Sequence, residues 1–224
     1  MFAKRHPDYR RFKSLKAGVY TIEGTVGIGK STLGSSLAHY LNAAEVPAKF
    51  FPEYVNKELL DQYISDMKKY AFSFQLCMLF KRIKIYRDAE IFAISGGVAI
   101  IDRSILGDYT FAKMQHANGN ITDAEWQIYL SIMKQDIQLE PTLTLWLQCS
   151  VETSMARIRK RGIESEINGY STGYIAQLQE MYEDSFAKSD TMWIELEWGN
   201  NVAQENGILA KDFVYETLDL MVKS

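Results

Sequence analysis

Five parallel strands with helices packed on both faces, a three-layer α/β arrangement, is the architecture that these 224 residues encode. Short apolar runs rich in β-branched residues alternate with longer stretches of helical period, the rhythm of strand–helix–strand crossovers. A glycine-rich turn joins the first such run directly to the first helical stretch. No internal repeat, low-complexity tract or Pro/Gly-rich linker interrupts the pattern. Residues 18–224 therefore read as one domain behind a basic leader, 1–17, which is expected to be solvated.

"VYTIE" (19–23) is the first strand, and "KSTLGSSLAHYLN" (30–42) carries Leu33, Leu37 and Leu41 at helical spacing. "AKFF" (48–51) is the second strand, closed by Pro52-Glu53. Residues 57–95 predict a long helical region broken near Asp66 and ended by Gly96-Gly97. "VAIID" (98–102) is an apolar strand with a carboxylate at its carboxyl end. "ITDAEW" opens a helix with a capping box, Thr122 to Glu125. "LTLWLQ" (143–148) is the fourth strand, and "SVETSMARIRKRG" (150–162) a helix closed by Gly162. "MWIELEW" (192–198) is the last strand, and 204–222 the last helix.

Composition excludes several classes. The chain is 47% hydrophobic and 24% charged, ordinary for a globular protein. A net charge of -3 and a pI near 5.7 argue against a nucleic-acid partner. No apolar run approaches the ~20 residues of a membrane span, so no membrane partner is expected. Cys77 and Cys149 lie in apolar runs and read as buried thiols of a reducing compartment. The leader lacks the apolar core of a secretory signal. Cytoplasmic residence follows as the expectation, with organelle targeting by the basic leader the weaker alternative.

"GTVGIGKS" (24–31) matches G-x-x-x-x-G-K-[ST] between a strand and a helix. Gly24, Thr25, Val26, Gly27, Ile28 and Gly29 would curl successive backbone N–H groups around phosphate oxygens, aided by the helix beginning near Lys30. Lys30 would reach the β- and γ-phosphates, Ser31 would ligate Mg²⁺, and Thr32 completes the loop. This predicts a P-loop NTPase-type fold that binds ATP with Mg²⁺. The base-reading Asn-Lys-x-Asp of GTPases is missing, since Asn56-Lys57 is followed by Glu-Leu. A small kinase remains, its acceptor at the carboxyl edge of the sheet. Glu53 sits at that rim, where a carboxylate orients a hydroxyl and takes its proton. Asp102 ends a buried strand at the position of a second metal ligand, with Arg103 beside it for phosphate or for Glu53.

In order and spacing, the glycine loop, "PE", "FSFQ", "DRS" and "RIRKRG" resemble the deoxynucleoside kinases of the deoxycytidine/deoxyguanosine/deoxyadenosine type, over about 19–187. The resemblance implies that Glu53 is the general base and Arg103 the arginine of the Glu/Asp-Arg-Ser motif. It places Gln75 on the base edge, with Arg82 seven residues later on the same helical face. Arg82 and Asp108 then form a charged pair at the far end of the base pocket, which points away from thymidine. Phe111 would stack on the base, with Phe74 and Tyr54 as further candidates. Tyr63 and Glu166 would hold the sugar 3'-hydroxyl. Arg157 and Arg161, i and i+4, would clamp donor phosphates from a lid over about 157–170. Ile163 stands where the family usually carries a third arginine. Nucleotide salvage and a homodimer, through helices around 70–95 and 104–140, are implied as well. A nucleoside monophosphate kinase, a broad-specificity deoxynucleoside/thymidine kinase and a nucleotide-binding module without transfer are the competing readings.

Overall fold

The structure, a computed structural model, describes residues 7–135, 140–199, 204–205 and 207–224. Its elements run β1 (Gly18–Glu23), α1 (Lys30–Ala43), β2 (Ala48–Phe51), α2 (Lys57–Ser65), α3 (Met67–Ile94), β3 (Val98–Asp102) and α4 (Ile105–Ala117). They continue with α5 (Asp123–Gln135), β4 (Leu143–Gln148), α6 (Val151–Arg161), α7 (Glu164–Gly169), α8 (Thr172–Ala187) and β5 (Trp193–Glu197). A two-residue hairpin, β6 (Gln204–Glu205) with β7 (Ile208–Leu209), precedes α9 (Lys211–Lys223). The main sheet has the order β2-β3-β1-β4-β5, every neighbouring pair parallel. The chain leaves β1 toward β2 and leaves β3 toward β4, in opposite directions. A crevice therefore opens at the carboxyl ends of these two adjacent strands.

Strand alternation assigns each side chain to a layer. Tyr20 and Ile22 of β1 and Val98 and Ile100 of β3 pack with Leu33, Leu37 and Leu218 beneath α1 and α9. Val19, Ala99 and Ile101 face Tyr86 and Ala89 of α3 on the other side. Continued by one more residue, the same parity sends Asp102 toward α1 and Glu23 toward α4 and α8. The sheet thus delivers two strand-end carboxylates to opposite faces of the crevice.

Local chemistry sets the helix boundaries. Asp66 ends α2 and caps α3, its carboxylate accepting from Lys69 N at 3.1 Å. Gly96-Gly97 follows α3, as expected. At α5, Glu125 accepts from Thr122 N and Oγ1 at 2.9 and 2.8 Å, while its own N–H donates to Thr122 Oγ1 at 3.3 Å. This is the predicted capping box.

Three expectations need correction. The leader is not simply solvated: a 3₁₀ helix spans Pro7–Ser14, with Phe12 fully buried and Leu15 nearly so. Phe12 meets Tyr215 edge-on at 4.8 Å, and Arg11 pairs with Asp219 at 2.8 Å, so both bind α9. The C-terminal helix begins at Lys211 rather than 204, because Leu209 is drawn into the core and its N–H bonds Ser36 Oγ at 3.0 Å. Cys77 and Cys149 are free and only half-buried. No helix among the described residues is long and apolar enough to cross a membrane.

Phe12→Ala should therefore lower the unfolding free energy by about 3–5 kcal/mol, the usual cost of deleting a buried aromatic ring. Urea denaturation measures it. A loss below ~1 kcal/mol would put this segment outside the cooperative core.

Candidate active site

A cleft of about 930 Å³ lies over the carboxyl ends of β1 and β3. The glycine loop forms one wall. Gly29 adopts φ 110°, and a Cβ there would stand 2.8 Å from Trp198 Nε1, so only glycine permits this approach. Ile28 buries its side chain in the core, which anchors the loop from below. Thr25 is also turned inward, its Oγ1 3.2 Å from Ser154 Oγ. Val26, Gly27, Gly29, Lys30, Ser31 and Thr32 line the opening. Lys30 Nζ curls back on the Thr25 carbonyl at 3.1 Å. Burial, and then the Arg103 charge, pull its pKa down to about 8.

Ser31 Oγ donates to Asp102 Oδ2 at 2.5 Å across the crevice. Asp102 Oδ1 is buried without a hydrogen-bond partner. Two hard oxygen ligands, one with an unused lone pair, fit a Mg²⁺ ion that takes its other ligands from phosphates and water. No cluster of three or more His, Cys, Asp or Glu residues suited to a metal occurs among the described residues. A P-loop site of this kind needs none.

Glu53, just beyond β2, stands between two guanidinium groups. Arg82 Nη2 lies 2.7 Å and Arg103 Nε 3.3 Å from Glu53 Oε1. Burial favours the neutral acid, but Arg103, Arg82 and Lys30 outweigh it and hold the carboxyl at about 2. Its side chain keeps 22% exposure, so the ion pairs leave it open to the cleft. Arg103 itself adopts φ 74°, a left-handed conformation costly for a residue with a Cβ. The kink follows β3 directly, and Ser104 then caps α4 through Leu106 N at 3.1 Å.

The same Arg82 guanidinium also bonds Asp108 Oδ1 through Nε at 3.1 Å, and Tyr129 Oη donates to Asp108 Oδ2 at 2.8 Å. Burial pushes the Asp108 carboxyl up against the pull of Arg82. The predicted Arg82–Asp108 pair is thus present, but it is not remote from Glu53. The same guanidinium holds Glu53. Gln75 is buried, lines the cleft and has no partner for Nε2. Phe111 lines the cleft beneath the Arg103 guanidinium, 4.6 Å from its ring centroid. Phe74 also lines it, whereas Tyr54 is about half exposed outside it.

Tyr63 does not form part of the cleft wall. It is buried, stacked on Phe74 at 4.5 Å, with Oη 3.1 Å from Tyr174 Oη. α2 packs against α3 and α7 and so seals this ring behind Phe74. Tyr170 lines the cleft instead, next to Glu166. In the lid, Arg161 Nη2 pairs with Glu166 Oε2 at 2.7 Å, and burial raises the Glu166 pKa against that charge. Arg157 reaches the glycine loop, donating to the Ile28 carbonyl at 2.6 Å and to the Gly199 carbonyl at 2.8 Å. Both arginines line the cleft, as their i,i+4 spacing implies.

Sequence reasoning passed over Glu23, Tyr129, Tyr170, Tyr182, Lys160 and Trp198. Lys160, Tyr170 and Trp198 line the cleft, and Tyr129 and Tyr182 bond residues that do. For Glu23 a signal existed: a carboxylate ends an otherwise apolar strand immediately before the glycine loop. Tyr129 and Tyr182 look in sequence like ordinary members of helix cores, and Tyr170 like a turn residue between two helices.

A family model described as deoxynucleoside kinase matches residues 20–216. The chain is 31% identical over 174 residues to a deoxyadenosine kinase of Dictyostelium discoideum, covering 77% of this chain and 68% of that relative. It is 29% identical over 174 residues to a deoxyadenosine/deoxycytidine kinase of Bacillus subtilis, covering 75% and 76%. Among solved structures, a deoxyadenosine kinase from M. mycoides, with products dCMP and a flexible dCDP bound, superposes with a TM-score of 0.73. That alignment covers 92% of this chain and 98% of the other at 24% identity, a likeness of fold. With the family match spanning most of its length, the chain belongs to the deoxynucleoside kinase family and is a phosphotransferase on the P-loop NTPase fold.

Proposed function

We propose that this enzyme transfers the γ-phosphoryl group of ATP to the 5'-hydroxyl of deoxynucleosides, with deoxycytidine and purine deoxynucleosides ahead of thymidine. The observation that carries the reading is Glu53, ionised in the cleft that Lys30 enters and held by Arg82 and Arg103. Glu53 orients the 5'-hydroxyl and takes its proton as the oxygen bonds the γ-phosphorus and the bond to the bridging oxygen of ADP breaks. Lys30, Arg103, Arg157 and Arg161 balance the charge on the transferring group. Gly24 through Thr32 hold the donor phosphates. Ser31 and Asp102 would hold Mg²⁺, which when bound neutralises charge on the donor phosphates. Gln75, whose buried side chain lines the cleft, reads the base edge. Phe111 stacks on the base, Arg82 and Asp108 close the pocket, and Glu166 holds the sugar. Tyr63 supports that end from behind Phe74.

Relatives named for deoxyadenosine, deoxycytidine and deoxyguanosine agree with this preference. A monophosphate acceptor fits less well, because Arg82 and Arg103 are already committed to carboxylates and Glu53 would repel a phosphate dianion. A coupled ADP-release assay tests the reading with a panel of deoxynucleosides and dTMP. Release with unphosphorylated deoxynucleosides is expected. Release only with dTMP, or none, would sink it.

The same proposal places the enzyme in nucleotide salvage, supplying DNA precursors in the cytoplasm. It works as a homodimer: Phe80, Ile91 and Ile94 of α3 and Ile128 of α5 are 56%, 68%, 86% and 49% exposed, an apolar surface suited to a second copy. Sedimentation should give a dimer, and Ile91→Glu should yield the monomer.

A further inference from the structure

Beneath the cleft lies a polar network that the proposed chemistry leaves unused. Glu23 is wholly buried, yet its carboxylate is fully engaged. Oε1 accepts from Ser104 N at 2.5 Å, Ser104 Oγ at 2.7 Å and Gly107 N at 3.2 Å. Oε2 accepts from Tyr182 Oη at 2.9 Å. Gly107 lies inside α4, where a Cβ would stand 2.3 Å from the same carboxylate. The helix therefore carries a glycine where Glu23 meets its first turn. A buried charge with four donors aimed at it is costly to build and suited to fixing geometry.

What it fixes is Arg103. Tyr182 Oη bonds both Glu23 and Arg103 Nη1. Arg103 Nη1 also donates to the Gly24 carbonyl at 3.1 Å, the first residue of the glycine loop. Arg103 N donates to the Ile22 carbonyl at 2.9 Å, one residue before Glu23. Phe111 covers the guanidinium from one face. The left-handed backbone of Arg103 is thus tied on both sides by residues that meet at Glu23. Held in this way, Nε is delivered to Glu53.

We infer that Glu23 and Tyr182 are positioning residues for phosphoryl transfer, fixing the Arg103 guanidinium between Glu53 and the glycine loop. The inference rests on the role proposed above for Glu53 and Arg103. It adds a rigid link between the donor cradle and the acceptor carboxylate, made by a strand-end residue and a tyrosine 159 positions apart. Neither residue lines the cleft, so both act through Arg103.

Tyr182→Phe is the cleanest probe, because the ring keeps its contacts with Phe111 and Phe186 at centroid distances of 6.3 and 6.2 Å. The expected result is a roughly tenfold fall in kcat, the scale of one hydrogen bond to a charged group. KM for ATP and deoxynucleoside should hold within about twofold. In an Arg103→Lys background the same change should cost less than about twofold, since the group it positions is gone. Glu23→Gln should repeat the pattern. A penalty undiminished in the Arg103→Lys background, or no loss of kcat in Tyr182→Phe, overturns the inference while leaving the enzyme's function standing. A wild-type protein without deoxynucleoside kinase activity overturns both.

Discussion

Glu53→Gln turns over deoxynucleoside at least about 10²-fold more slowly than the wild type while binding it with similar affinity. The substitution keeps the shape of the side chain and an oxygen that still accepts from Arg82. It removes the charge that orients the hydroxyl and the site that takes its proton. The fold should tolerate the change, because each guanidinium retains a second carboxylate: Asp108 for Arg82 and Glu23, 4.0 Å away, for Arg103. Rapid-quench turnover and calorimetric binding separate the two effects. Near-normal turnover would remove Glu53 from the chemistry. A pH signature accompanies it. The folded-state pKa of about 2 lies below the ordinary 4.5, so the stability Glu53 contributes is complete above about 4.5 and disappears as pH falls toward 2. The melting temperatures of wild type and Glu53→Gln should converge across that window, with the wild type ahead at neutral pH.

Arg82→Met carries the second large effect, on stability and turnover together. Arg82 is 4% exposed and its partner Asp108 only 1%. Removing the cation strands a buried carboxylate with Tyr129 as its remaining hydrogen-bond donor, which costs about 3–5 kcal/mol in comparable cases. Adding Asp108→Asn removes the stranded charge while keeping an acceptor for Tyr129, so the double variant should recover much of that loss. Urea midpoints for both variants check this, and strictly additive losses would contradict the coupling. Turnover should fall in both, because Arg82 Nη2 also holds Glu53. The ratio of kcat/KM for thymidine over deoxycytidine should rise in the double variant, where the charged end of the pocket has become neutral and smaller. A ratio unchanged within about twofold would detach this pair from base selection.

The parts of the site legible in sequence are those whose chemistry is local. The glycine loop needs its residues contiguous, so "GTVGIGKS" announced the donor cradle directly. The apolar run "VAIID" likewise announced a strand that ends on a carboxylate, Asp102, with Arg103 next to it. Glu53 drew its reading from its place just past the second strand, whereas Gln75 and Arg82 carried no such local signature and acquired meaning only through resemblance to a family. The structure then altered what the resemblance implied. It joined the Arg82–Asp108 pair to Glu53 through one guanidinium, and it stacked the buried Tyr63 on Phe74. Contacts between distant segments were not legible at all. Phe12 reads as part of a charged leader until Tyr215 of α9 lies against it. Tyr182 reads as one apolar position in a helix until its hydroxyl meets Glu23. The stretch at 204–210 lacks the period of a helix, and Gly207 at φ 78° turns it into the small hairpin instead.

The regiochemistry of transfer tests the central claim most directly. The wild-type enzyme is incubated with ATP, Mg²⁺ and deoxyadenosine or deoxycytidine, and the product is examined by proton-coupled ³¹P NMR. Transfer to the 5'-hydroxyl puts the phosphate on a CH₂ group, and the new resonance is a triplet. That is the predicted result. A doublet would place the phosphate on the 3'-oxygen, and free phosphate alone would mean hydrolysis without an acceptor; either contradicts a cleft in which Glu53 presents the 5'-hydroxyl to the donor.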